Sequence, residues 1–356
     1  PSDPPAYKDI KGFVGRMAGT VADRARAAEH LIFTRRPDLC VVHFESPDHV
    51  QHGLWCDLDS QDPLFDEERH GYILEHFYGA LDKAMKDTWE AFARAAEGDF
   101  ATIVISDHGF ELHRKRFNLG NWLHGQGLLQ WSRKLGQPPL HRRFAHVPGL
   151  KKLFRFIVPG MPAETPVSAL HLDPQMIDWD NSATFPVGHN GEAGIYLLHD
   201  DAPRRVNTIS RITKGLKAIR DSFTSAPLIQ AVYRKEEVYR GPLMYLMPDL
   251  IVVPAAGCTC TTWCWPARPL IEDIHPESDP EAGKHSRDGV LVAAGRDIAE
   301  RAAVTAQLTD IAPTILCALG INIPSDWDGR VISSIFTSGF LSARGLSRDG
   351  VKDNPG

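Results

Sequence analysis

Thr102-Ile103-Val104-Ile105-Ser106-Asp107-His108-Gly109-Phe110 is a β-branched run that stops abruptly at a carboxylate, an imidazole and a glycine. Residues 102–105 have the composition of a strand buried on both faces. An Asp and a His side by side at the C-terminal end of such a strand stand where open α/β sheets carry their chemistry. Gly109 allows a sharp turn that lets both side chains face one crevice. Both are good ligands for zinc, manganese or iron. Taken alone, the same residues read equally well as a strand end with a capping Asp and a solvated His.

Working outward, Leu39-Cys40-Val41-Val42-His43-Phe44 reads as a second buried strand, ending in Glu45-Ser46-Pro47-Asp48-His49-Val50-Gln51-His52-Gly53. Between the two runs, residues 66–97 carry Ile73, Phe77, Ala80, Leu81, Ala84 and Trp89 at helical spacing, a long amphipathic helix. Strand, helix, strand is the order of a parallel sheet with crossover helices. Further strands are expected at 193–198, 250–253 and 290–294. Helices are expected within 1–36, at 205–223 and at 309–319, the last ended by Gly320. The fold class is therefore α/β, a mostly parallel central sheet sandwiched by helices. Residues 1–36 form an N-terminal helical segment, 37–336 the core and 337–356 a flexible tail. Insertions of cap type are expected at about 111–175 and 254–282. The first holds a basic stretch, 132–160, that is either a solvated surface or a supply of positive charge for an anionic substrate.

Ligand-type residues recur beside three strands. Asp48 and His52 are four apart, so one helical turn puts both on one side. Asp107 and His108 are adjacent, and His285 stands just before the 290–294 strand. Each is weak alone. Together, two carboxylates and three imidazoles at strand ends suit a two-metal hydrolase.

These motifs, with Thr309-Asp310-Ile311-Ala312-Pro313-Thr314, Glu237-Val238-Tyr239-Arg240-Gly241-Pro242, Pro248-Asp249-Leu250 and Trp327-Asp328-Gly329-Arg330, resemble the alkaline phosphatase superfamily. Within it they are most similar to the type I phosphodiesterase/nucleotide pyrophosphatase family, predicted phosphohydrolase/phosphomutase group, from about residue 37 to 336. The resemblance implies two divalent metals, zinc or else manganese. Asp48, His52 and His285 would hold one, and Asp107 and His108 the other. It implies hydrolysis of a small-molecule phosphate mono- or diester. Phosphotransfer or mutase chemistry, and a catalytically impaired metal-binding fragment, are the alternatives.

The same resemblance calls for an Asp ligand and a Thr or Ser nucleophile upstream of Asp48. Neither is recognisable in the 47 residues that precede it. The chain opens Pro1-Ser2-Asp3-Pro4-Pro5 without a Met and reads as a processed product or fragment, with the nucleophile expected upstream. Asn118 and Asn121 are candidates for substrate contact as well as for packing. Asp310 and its neighbours read as structural. Cys258, Cys260 and Cys264 form Cys-x-Cys-x-x-x-Cys, which matches no standard zinc spacing and reads as a surface-loop coincidence.

Composition sets outer bounds. The chain has 356 residues, 43% hydrophobic and 24% charged, which is ordinary for a globular protein. A formal net charge of -6 argues against a nucleic-acid polymer as partner. No apolar run is long enough for a membrane span. Six Cys without scaffold spacing, and no signal-peptide pattern, point to the cytoplasm.

Overall fold

The computed structural model describes residues 8–131 and 177–345, apart from 190, 200, 263–268, 277, 278, 280, 301 and 302. The basic stretch 132–160 and Cys264 lie outside the described residues. The first elements in chain order are α1 (Ile10–Arg35), α2 (Ser46–Leu58) and α3 (Glu67–Ile73), then a π-helical turn at Leu74–Tyr78 and α4 (Gly79–Ala95). Next come β1 (Ala101–Ile105), β2 (Gly109–Leu112), β3 (Lys115–Asn118), α5 (Leu119–Gly125), β4 (Thr184–His189) and β5 (Glu192–Leu197). They are followed by α6 (Ala202–Lys217), β6 (Ile229–Arg234), α7 (Lys235–Val238), β7 (Leu250–Pro254), β8 (Cys258–Thr261) and β9 (Ile271–Asp273). The described residues close with β10 (Gly283–Ser286), β11 (Leu291–Gly295), α8 (Ile311–Leu319) and α9 (Ser338–Ala343). None of these helices is long and apolar enough to cross a membrane.

The chain divides into two compact units that share it in alternating pieces. The first contains Pro1–Phe13, Pro47–His70 and Phe110–His285. The second contains Val14–Ser46, Gly71–Gly109 and Ser286–Gly356.

In the first unit, β4-β5-β7-β6 form a four-stranded sheet whose pairings are all antiparallel. All five residues of β7 are buried, as its unbroken apolar run requires. One core cluster joins Ile195, Leu250 and Val252 of this sheet to Ile212 and Leu216 of α6 and to Leu119, Trp122 and Leu123 of α5. Each such side chain taken fully out of water contributes about 1.5–3 kcal/mol. At the start of β7, Asp249 accepts hydrogen bonds from the Leu197 N–H at 2.8 Å and from Arg205 at 2.6 Å, and pairs with Lys235 at 3.0 Å. Burial opposes its charge, but the Leu197 N–H, Lys235 and Arg205 outweigh that and hold the carboxyl below its ordinary range. A second sheet, β8-β3-β9, pairs β3 parallel with β8 and antiparallel with β9, while β2 and β10 form a separate ribbon.

In the second unit, β1 pairs antiparallel with β11 from Ala101↔Gly295 to Ile105↔Leu291. Leu291 and Ala293 pack on a cluster of Cys317, Ile332, Ile335, Phe336 and Leu341. α1 buries Val14, Val21, Ala25, Ala28 and Ile32 along one stripe. Thr314 of α8 is fully buried, and its hydroxyl donates to the Asp310 carbonyl and accepts from the Ile332 N–H. Asp310 itself accepts from the backbone N–H groups of Gln307 and Arg330, a structural role. Gly320, at φ 73°, ends α8.

Several expectations are corrected here. A mostly parallel central sheet is not what the described strands form: they make small sheets in which β3 pairs parallel with β8, while β1–β11, β3–β9, β4–β5, β5–β7 and β6–β7 are antiparallel. A continuous apolar run reports burial of both faces, which packing gives β7 in an antiparallel sheet, and it carries no information on direction. Residues 39–44 are not a buried strand: the segment has no ladder among the described residues, and Leu39 and Val41 are 48% and 78% exposed. The expected 66–97 helix is present but broken by the π turn. That extra residue shifts its buried face, so that Phe77, Ala84 and Ala91 are buried and Trp89 is exposed. The tail expected from 337 opens with α9, capped by the Thr337 hydroxyl, which accepts from the Phe340 N–H.

His113, which follows β2, is buried at 1% exposure. Its Nδ1 donates to the Glu281 carbonyl at 2.9 Å, so Nε2 must accept from the Thr259 hydroxyl at 2.8 Å. Burial, with the Arg116 guanidinium close by, pushes the imidazole down to about 4. The unfolded chain protonates this group near pH 6.5. Between those values the unfolded state binds the extra proton, so stability falls as pH drops from about 6.5 to about 4, by on the order of 3 kcal/mol for this group. Urea denaturation across that range should show a shallower acid slope in His113→Gln than in the parent. Equal slopes would contradict the assignment.

Candidate metal centre

The Asp48-x-x-x-His52 spacing lies in α2, whose regular first turns carry both side chains before Leu54 leaves helical geometry (φ -130°, ψ 20°). His285 comes from β10. Its Nε2 stands 3.0 Å from Asp48 Oδ1 and 2.9 Å from His52 Nε2. His52 Nε2 is 3.5 Å from the same carboxylate oxygen. All three residues belong to the first unit. The three side chains are 16–33% exposed, within reach of solvent without being freely solvated.

The ring orientation of His52 has a clear cause. Its Nδ1 lies 2.9 Å from the Gly283 carbonyl. A carbonyl only accepts, so Nδ1 carries the proton and Nε2 keeps its lone pair, facing His285 Nε2. This is the arrangement in which a carbonyl behind an imidazole fixes the tautomer of a metal ligand. Donors about 2.0–2.1 Å from a tetrahedral zinc ion lie about 3.3 Å from one another. The observed 2.9, 3.0 and 3.5 Å bracket that spacing. Two imidazoles and a carboxylate also have the donor chemistry of a three-ligand zinc site, so the residues present fit the group.

Gly283 makes the approach of β10 to α2 possible. A Cβ there would lie 2.3 Å from the Gln51 carbonyl oxygen and 2.8 Å from the Trp55 Cβ. Alternation along the ribbon sets the rest. Phe110 of β2 lies on the side of His285, while Glu111 pairs with Lys284 on the other.

Asp107 and His108 follow β1 in the second unit. His108 Nε2 lies 3.6 Å from Asp107 Oδ2, and its Nδ1 donates to the Gly109 carbonyl at 3.1 Å. The Asp107 side chain is 73% exposed. The glycine after them serves a different end from the expected sharp turn. Gly109 has no left-handed backbone; a Cβ there would lie 2.0 Å from the Asp288 carbonyl oxygen. The strand ladder continues past β1 through Ser106, whose N–H donates to the Val290 carbonyl and whose hydroxyl accepts from the Val290 N–H.

Asn118 is fully buried, and its amide is committed: Nδ2 donates to the Pro269 carbonyl and to Glu272, and Oδ1 accepts from the Thr261 hydroxyl. These bonds tie α5 and β3 to residues 261–272. Asn121 is half-buried on α5. Cys258 and Cys260 are not on a surface loop. Both are buried in β8, where burial pushes their thiols up and keeps them protonated. Sequence reasoning missed Gly283, Phe110 and Trp55 as parts of the site; the glycine between Ala282 and Lys284 was the available signal.

Gly283→Ala should separate β10 from α2 and loosen the His52 bond to the carbonyl. We expect a loss of about 1–3 kcal/mol in urea denaturation and a fall of about 10-fold or more in zinc affinity by calorimetry. Unchanged affinity would show that this close approach does not set the donor geometry.

A family model described as type I phosphodiesterase/nucleotide pyrophosphatase matches residues 4–286. No curated protein sequence matches the chain. Among solved structures it is similar to human ectonucleotide pyrophosphatase/phosphodiesterase 5, at 15% identity and a TM-score of 0.46, over 89% of this chain and 64% of that one. It is also similar to phosphonoacetate hydrolase from Sinorhizobium meliloti in complex with phosphonoacetate, at 16% identity and a TM-score of 0.42, over 78% of this chain and 50% of that one. The chain thus spans less than two thirds of the length of either protein. With the family match covering most of its residues, the chain belongs to the type I phosphodiesterase/nucleotide pyrophosphatase family.

Proposed function

We propose that the chain forms the metal-holding part of a hydrolase acting on phosphoric ester bonds, with a small-molecule phosphate mono- or diester as substrate. The observation that carries this reading is the convergence of Asp48, His52 and His285 on one point with donor atoms 2.9–3.5 Å apart. In this reading those residues hold one divalent ion, zinc or else manganese. Asp107 and His108, 3.6 Å apart in the second unit, are the candidates for a second. A divalent ion supplies positive charge for the equatorial oxygens of a transferring phosphoryl group.

The chain's own residues do the positioning. The Gly283 carbonyl holds the His52 proton on Nδ1, so that Nε2 keeps its lone pair. Asp48 adds the negative charge that favours a cation over a neutral occupant. The Thr or Ser nucleophile that the family resemblance calls for is assigned to no residue of this chain.

Chelated protein reloaded with zinc or manganese should hydrolyse a chromogenic phosphate diester, with activity absent before reloading. His52→Ala and His285→Ala should each lower it by more than the roughly 10–100-fold that loss of an outer partner costs. Hydrolysis that survives chelation, or that is unchanged in both variants, would contradict the reading.

A further inference from the structure

One aromatic side chain touches both imidazoles. The Phe110 ring meets His52 edge-on, with centroids 4.9 Å apart and an interplanar angle of 82°. It meets His285 in the same manner at 5.1 Å and 72°. Trp55, one helical turn after His52, stacks on Phe110 at 5.7 Å and 29°. Its indole N–H has no hydrogen-bond acceptor among the described residues, so packing alone places that ring. Phe110 is therefore the shared neighbour of two imidazoles that come from different elements, α2 and β10.

We propose that Phe110 is a positioning residue that fixes the tilt of the His52 and His285 imidazoles, and so keeps both Nε2 atoms aimed at one point. The physical ground is the softness of the histidine ring torsion. The χ2 of His is broad and roughly two-fold, and the 2.9 Å contact between the two Nε2 atoms sets a distance rather than the angle of either ring. For His52 the Gly283 carbonyl fixes which nitrogen is protonated, but not the tilt. An aromatic face with negative quadrupole density attracts the positive edge of a neighbouring ring and sets the angle between them. Both observed angles, 82° and 72°, are of that edge-to-face kind. An aliphatic side chain of similar bulk would fill the space and leave the angle unset. The consequence for metal affinity rests on the reading of Asp48, His52 and His285 as metal donors. The ring geometry itself does not.

The test combines two measurements on the parent, Phe110→Leu and Phe110→Tyr. Long-range proton–nitrogen NMR on metal-free protein reads the tautomer and order of each imidazole, and calorimetric titration with zinc alone reads affinity. We expect the parent and Phe110→Tyr to show His52 as a single Nδ1–H tautomer, and Phe110→Leu to show exchange between forms. Zinc affinity should fall about 10-fold to 100-fold in Phe110→Leu and recover in Phe110→Tyr. If Phe110→Leu does not fold, Phe110→Met carries the same comparison. Parent-like ring signals in the aliphatic variant, or equal loss in Leu and Tyr, would overturn the proposal. Ring release in Phe110→Leu with no zinc bound by the parent would uphold the positioning role and sink the metal reading instead.

Discussion

The hydrogen bond from His52 Nδ1 to the Gly283 carbonyl joins residues 231 positions apart, and the candidate centre depends on it. It forms because a residue without a side chain lets β10 lie directly against α2, where any Cβ would meet the Gln51 carbonyl. From that contact three things follow together. The His52 tautomer is set, His285 two residues along β10 is delivered to Nε2 distance, and the Asp48 carboxylate one helical turn back closes the group. A local constraint on backbone approach thus becomes a constraint on lone pairs.

Around this contact several polar groups of the first unit are paired. Glu111 and Lys284 pair on the face of the ribbon opposite Phe110 and His285. Farther along, His113 stays neutral between a carbonyl and a hydroxyl, and Arg116 pairs with Asp279 at 2.9 Å. The two described cysteines of the Cys-x-Cys motif belong to this packing, and burial pushes their thiols up.

What could be read from the residues alone was whatever is local. The four-residue spacing of Asp48 and His52 is a helical-turn signal, and a helix is what carries them. The β-branched runs at 102–105 and 250–253 are strands, α6 covers most of the helix expected at 205–223, and Gly320 ends α8. What could not be read was pairing. Apolar character made β1 and β7 strands without fixing direction, and both pair antiparallel. Leu39–Phe44 has the composition of a buried strand, yet composition does not supply a neighbour to hydrogen-bond with. Asn118 was open to packing or to substrate contact by position, and the partners that its amide bonds, Pro269, Glu272 and Thr261, all lie far along the chain. Family resemblance grouped His285 with Asp48 and His52. The physical reason for the grouping, Gly283 against Gln51, appears only in three dimensions.

The claim that matters most is that Asp48, His52 and His285 together hold a divalent ion. Diffraction from crystals grown with zinc, recorded on either side of the zinc absorption edge, addresses it without recourse to activity. The account predicts an anomalous peak about 2.0–2.2 Å from the Nε2 atoms of His52 and His285 and from an Asp48 carboxylate oxygen. A peak held elsewhere, or three side chains that remain hydrogen-bonded to one another with no peak between them, would contradict it.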